Sequence, residues 1–234
     1  MTKINRNTLR LIAVALCIAL LVLGVLISRS AAALLEGNDA QLEMGMASLD
    51  VQLTENGTVV ADGTREGTLF AALADTNPDP GYTYNEEIRA RNSGSAPEYV
   101  RVIIRKYWTD QNGKATKDID PDRIVLAAGD GWFENPAESS TEQSVYYCRQ
   151  SLAAGADSAP LFTGIRIDGN IAADYELSEA DTDGVIKATY AYDGLSFNVE
   201  AEVQAIQYEH AQEAAGSAWG ITDVTFSDGT ASLR

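Results

Sequence analysis

His210 is the only histidine among 234 residues, and Cys148 is the only cysteine outside an apolar N-terminal run that holds Cys17. A serine hydrolase would have to use His210, yet neither G-x-S-x-G nor another nucleophile signature accompanies it. A zinc site of the H-E-x-x-H kind needs two histidines on one helical face. In YEHAQEA, His210 reads instead as an exposed residue at the polar start of a helix. Two acidic clusters have the composition of calcium loops. EADTDG sets Glu179, Asp181 and Asp183 at alternate positions before Gly184, but Tyr190 stands where the closing bidentate acid belongs. DIDPD (Asp118, Asp120, Asp122) lacks the glycine. Aspartates also cap turns by local hydrogen bonding, which is the leading reading of both clusters; Glu179, Asp181 and Asp183 remain weak calcium candidates. With 34 acids, chance pairs of carboxylates are many. No Gly-rich phosphate loop follows a strand, and the cations are too sparse for a nucleic-acid stripe. No enzyme is expected, and no cofactor beyond that calcium.

The N-terminus has the layout of an export signal. MTKINRNTLR is basic, the 17 residues from Leu11 to Ile27 are apolar, and SRSAAA supplies small residues. Ala31 and Ala33 form an A-x-A site with cleavage before Leu34, so residues 1–33 are read as a signal peptide. An uncleaved anchor is the alternative, since 17 residues reach the lower edge of a membrane span. Residues 1–33 carry four cations (Lys3, Arg6, Arg10, Arg29) and no acid, so a whole-chain charge of −17 leaves −21 on residues 34–234. Such a domain repels nucleic acid and anionic membranes, and membrane contact is expected only through the N-terminal segment. Once the signal is removed, Cys148 has no intramolecular partner; its apolar surroundings in SVYYCRQ suit a buried thiol, with an intermolecular bridge as the other option.

The elements that must position these residues read as short strands. In EYVRVIIRKYW, Val100, Val102 and Ile104 share one face and Arg101, Ile103 and Arg105 the other, the pattern of a half-buried strand. ASLDVQL and TVVA flank Asn56-Gly57, a tight hairpin turn. Leu69, Phe70 and Leu73 suggest a small helix in GTLFAALAD. NPDPGYTY reads as a turn into a strand with Tyr82, Tyr84, Ile88 and Ala90 on one side. RIVLAA, SVYYCRQ and LFTGIRID are further strands. Asp193-Gly194 is expected to join VIKATYAY in a hairpin to LSFNVEAEVQAIQ, where Leu195, Phe197, Val199, Ala201, Val203 and Ala205 alternate with polar residues. EHAQEAAGSAWG suggests a short helix. Many short strands without βα alternation predict an all-β fold over residues 34–234: one antiparallel jelly-roll-like β-sandwich with short helical insertions. Its core should include Val100, Val102, Ile104, Phe197, Val199 and Val203, with Trp108, Trp132 and Trp219 at sheet edges or ends.

The series MASLDVQLTENG, PGYTYNEEIRARNSGSAPEYVRVIIRKYWTD, GDGWFEN, VYYCRQSLAAGADSAPLFTGIRIDG, FNVEAEVQAIQ and SAWG, behind an exported N-terminus, resembles the TasA/camelysin family of Gram-positive exported proteins. The resemblance covers nearly all of the mature chain. It implies a jelly-roll subunit of extracellular matrix fibres, or a related cell-surface protein, whose precursor is cut by a SipW-type signal peptidase. It also implies joining by β-strand addition, with the segment freed by cleavage pairing with a neighbouring copy or another matrix protein. Here that segment is Leu34 to Gln41, led by Leu34 and Leu35 where family members often carry an aromatic residue. A change of strand phase near Gly45 to Ser48 reads as a bulge. A monomeric surface module binding calcium or a host ligand is the alternative. Camelysin-type members are described as metalloproteases, and for that activity the chain offers only His210 and scattered acids.

Overall fold

The computed structural model describes residues 48–74, 76, 78–179 and 186–234. The first strands are β1 (Val51–Glu55) and β2 (Thr58–Asp62). Between them Asn56 and Gly57 both take positive φ, 49° and 81°, as a two-residue hairpin turn of this hand requires. There follow β3 (Gly67–Leu69), the one-turn helix α1 (Ala71–Ala74), β4 (Thr83–Tyr84), β5 (Ile88–Asn92) and the twelve-residue β6 (Glu98–Thr109). Next come β7 (Ala115–Thr116), β8 (Ile124–Ala128), β9 (Trp132–Glu134), β10 (Gln143–Cys148) and β11 (Phe162–Ile167). The chain ends with β12 (Tyr175–Leu177), β13 (Ala188–Tyr190), β14 (Ser196–Gln207), helix α2 (Ala211–Ala218), β15 (Val224–Ser227) and β16 (Thr230–Leu233).

Two antiparallel sheets face each other. One runs β2-β1-β5-β11, with β4 beside β5 on the same side of β11 and β8 on its other side; the second runs β3-β14-β6-β10-β9, with β7 at the end of β6. The chain changes sheet between β2 and β3, again on either side of β4–β5, and repeatedly up to β14. This is jelly-roll order, as the sequence predicts. A complete eight-stranded jelly roll places its last strand between the strands equivalent to β1 and β5. Here those two pair directly, Val51 with Asn92 through Glu55 with Ile88. The C-terminal chain goes elsewhere.

Between the sheets lies the main core, which holds Val100, Val102, Ile104, Phe197, Val199 and Val203 as expected, with Leu53, Ile88, Phe162 and Ile165 opposite. Trp108 and Trp132 are buried in it, and Trp219 is half-buried in a second cluster. That second cluster is the C-terminal chain's destination. Helix α2 and the β15–β16 hairpin cover the outer face of the second sheet, burying Tyr99, Ile103, Val145 and Tyr147 against Ala215, Val224 and Phe226. The face of β6 read as its polar side is therefore buried over Tyr99 to Ile103, and Arg101 is itself only 7% exposed. Farther along the same face, Arg105 pairs with Glu66 and Glu202, and the Tyr107 hydroxyl donates to Glu200 at 2.6 Å.

Three local expectations differ from the structure. The turn at Asp193-Gly194 forms, with Gly194 at φ 76°, but β13 pairs with β12 and not with β14. NPDPGYTY does not lead one continuous strand: β4 and β5 are separate, Tyr82 is 61% exposed, and Ile88 and Ala90 are buried. The helix near Leu69 is shorter than its pattern suggests, because Leu69 ends β3 and Phe70 turns the chain with φ 57°. The bulge expected near Gly45 to Ser48 falls, but for Ser48, outside the described residues; β1 carries one between Leu53 and Thr54.

Candidate functional site

The two ends of a sandwich's sheets leave lateral openings, and one of them here is a groove of about 570 Å³ between β8 and β10. Its wall is the RIVLAA segment. β8 pairs with β11 along one side and, among the described residues, with no strand along the other, so half of its backbone amides and carbonyls face the groove unpaired by any strand. Five residues at about 3.3 Å each make an edge of roughly 17 Å. The floor is apolar. Ile104 and Leu126 meet there, and the Tyr146 ring stands edge-on to Phe162 at 5.3 Å. Burial, then the nearby Glu134 charge, raises the Tyr146 phenol above its ordinary range, so it stays a neutral hydroxyl.

The opposite rim is a loop rich in hydroxyls, Pro136 to Thr141, held in shape from behind. Asn135 is buried; its amide donates to Glu138 at 2.8 Å and its side-chain oxygen caps Ala137 N at 3.1 Å. Glu138 also accepts from the Tyr147 hydroxyl at 2.6 Å and pairs with Arg101 at 3.1 Å. The Tyr147 phenol is raised by burial and by that carboxylate. The rim is thus tied to the covered outer face of the second sheet. At one end of the groove Lys106, its side chain 13% exposed, donates to Asp122 at 3.2 Å and to the Ile124 carbonyl at 3.3 Å. An unpaired strand edge, an apolar floor and a hydroxyl rim suit an extended peptide, which would pair with β8 and set alternate side chains inward.

A second, smaller groove of about 410 Å³ lies on the other side of the sandwich, lined by Val51, Ala205, Ala218 and Trp219. There β14 extends past β3, which pairs only with Val199 to Ala201.

Of the candidate site residues singled out from sequence, only Asp122 reaches the first groove, at its Lys106 end. Glu179 is exposed beyond the end of β12, and Asp181 and Asp183 lie outside the described residues. So do Ala31, Ala33, Leu34 and Leu35. Tyr190, at the closing position of that acidic loop, sits on β13 opposite Tyr175. Asp120 caps the short 3-10 turn Pro121–Arg123 by accepting from Asp122 N, and Asp118 accepts from the Thr116 hydroxyl, so two of the three DIDPD acids serve local turns, while the Asp122 carboxylate pairs with Lys106. His210 is exposed at the start of α2 with φ 56°. Among the described residues no three His, Cys, Asp or Glu side chains are grouped to hold a metal ion. Cys148 is buried in the main core, and burial pushes its thiol up to about 11. No helix among the described residues is long and apolar enough to cross a membrane. No protein-family model, curated protein or solved structure matches the chain.

Proposed function

We propose that the chain is an exported structural protein of the cell surface or extracellular matrix, a fibre subunit that assembles by β-strand addition. The observation that carries this reading is the groove beside the edge of β8 that no strand covers among the described residues. A strand from a second copy, or from another matrix protein, pairs with β8 and seats its side chains over Ile104, Leu126 and Tyr146. The resemblance to the TasA/camelysin family supports the same reading, with the strand supplied by Leu34 to Gln41 after a SipW-type peptidase recognises Ala31 and Ala33 and cuts before Leu34.

The test is negative-stain electron microscopy of two proteins, one beginning at Leu34 and one at Gln41, across a pH series. Fibres from the longer protein alone are expected. Ser144 lines the groove beside Tyr146, and Ser144→Trp should fill it and abolish fibres without touching the core. Ala218→Trp, in the second groove, should leave them intact. The reverse result would move the joint to β14. Fibres from both lengths would keep the matrix role and remove the freed segment from it. Monomers from both at every pH would end the assembly reading in favour of a monomeric surface binding module.

A further inference from the structure

The polar turn Ser93-Gly94-Ser95 closes over the residues that lead into β1. The Ser93 and Gly94 amides donate to the Asp50 carbonyl at 2.8 and 2.9 Å, and the Ser93 hydroxyl joins them at 3.1 Å. Ser95 N donates to the Ser48 carbonyl at 3.0 Å, while Ser48 N donates to the Ser95 hydroxyl at 2.9 Å. The approach is so close that a Cβ on Gly94 would overlap the Ser48 carbonyl. Beneath this clamp, Asn92 is buried and fully engaged: its amide donates to the Ala96 and Leu152 carbonyls, and its oxygen accepts from Gly94 N. Glu98, the first residue of β6, points into the same end of the sandwich. It is 0% exposed, and both of its carboxyl oxygens are buried without a hydrogen-bond partner, the only such side-chain atoms among the described residues. Buried polar groups without partners are rare because each costs its full desolvation.

We propose that Glu98 is a pH-sensitive latch on this clamp: as a neutral carboxyl it packs under Ser48 to Asp50, and its ionisation opens the clamp and loosens the chain leading into β1. The charged group that faces it is the Asp50 carboxylate. The other elements around it present uncharged neighbours: Asn92 at the end of β5, Leu152 in the loop after β10, and Gln207 opposite it on β14. Burial first, and then Asp50, raise the Glu98 carboxyl to about 8, and the Asp50 amide offsets only part of that rise. The acid is therefore neutral at and below neutral pH and ionises in mildly alkaline solution. A charge formed there has the Asp50 amide as its one nearby donor and faces the like charge of the Asp50 carboxylate, and the nearest remedy is to move the three residues above it. The latch does not rest on the assembly reading; it concerns the fold itself.

The test follows amide hydrogen-exchange protection in the full chain, kept in mild detergent, from pH 6 to 9.5. Protection at Asp50, Val51 and the Ser93 to Ser95 turn should fall by about tenfold or more as pH passes 8, while amides of β6 and β14 at Val102 and Val203 keep theirs. Glu98→Gln should make the profile flat. Asp50→Asn, which removes the facing charge, should move the loss to lower pH. A loss shared equally by β6 and β14, or an unchanged profile in Glu98→Gln, would overturn the proposal. Should Glu98→Gln fail to fold, an Asp50→Asn profile identical to that of the parent would overturn it instead.

Discussion

Arg101 shows how one side chain can join three parts of a fold. Its Nε donates to Gln204 at 2.9 Å, its Nη1 to Glu138 at 3.1 Å and to the Tyr147 hydroxyl at 3.3 Å, and its guanidinium lies 4.6 Å from the Trp219 ring centre. Removing one partner from such a pair strands the other in a poorly hydrated place. Arg101→Ala should therefore cost about 3 kcal/mol in chemical denaturation, and Arg101→Ala/Glu138→Ala less than the sum of the two single changes. Glu98 has the opposite trouble, with no ion pair to lose among the described residues. Its carboxyl is raised to about 8 in the folded protein from an ordinary 4.5. Between those values the folded state holds a proton that the unfolded chain has released, so the Glu98 contribution to stability is complete below pH 4.5 and is lost as pH rises towards 8. Glu98→Gln should abolish that slope and gain on the order of 4 kcal/mol over the parent at pH 8, less whatever the clamp relieves by opening first. For Cys148, a buried thiol raised to about 11 should react with iodoacetamide far more slowly in the native protein than in denaturant.

The sandwich owes its second core to elements at the C-terminus. Tyr99 stacks on Tyr208 and meets Phe226 edge-on at 5.1 Å, and Phe226 in turn contacts Tyr147 and Trp219. A chain ending at Tyr208 should expose Ile103, Phe133, Val145 and Tyr147, bind a hydrophobic dye strongly and aggregate, while its main core stays intact. This arrangement also marks the limit of the sequence. Period-two alternation in EYVRVIIRKYW and FNVEAEVQAIQ names one inward face correctly, since pleating alone decides it. It does not say what lands on the other face, so Arg101 and Ile103 read as half-exposed until α2 and the β15–β16 hairpin are seen to cover them. Turn chemistry is likewise local: Asn56-Gly57 and Asp193-Gly194 both turn the chain, but only the first joins two strands that pair. Whether RIVLAA is an edge depends on what fails to pair with it, and that is a property of topology and not of its residues. Hence the strands were readable and the β8 groove was not.

A charge of −21 on residues 34–234 acts on the molecule as a whole. Copies repel over a Debye length of about 8 Å at physiological ionic strength, so fibres should form faster and at lower concentration at pH 4 to 5, or in about 0.5 M salt, than at pH 7.5 in dilute buffer, as followed by light scattering. An assembly rate indifferent to both would place the controlling step inside the subunit, at strand release. The longest pairing sets another scale. β6 and β14 align over all twelve residues, Glu98 with Gln207 through Thr109 with Ser196, so the centre of the second sheet joins parts of the chain 87 to 109 positions apart. Loops of that size are closed late, and sheets built from them fold in milliseconds to seconds. A chain emerging from its N-terminus can pair β6 with β10 once Cys148 is made, but β6 lacks its longest partner until Gln207 follows, and its outer face stays bare until Leu233 does. Synthesis thus leaves the centre of the second sheet unfinished until the chain is nearly complete, and a chain not yet folded is the form that the proposed export would require.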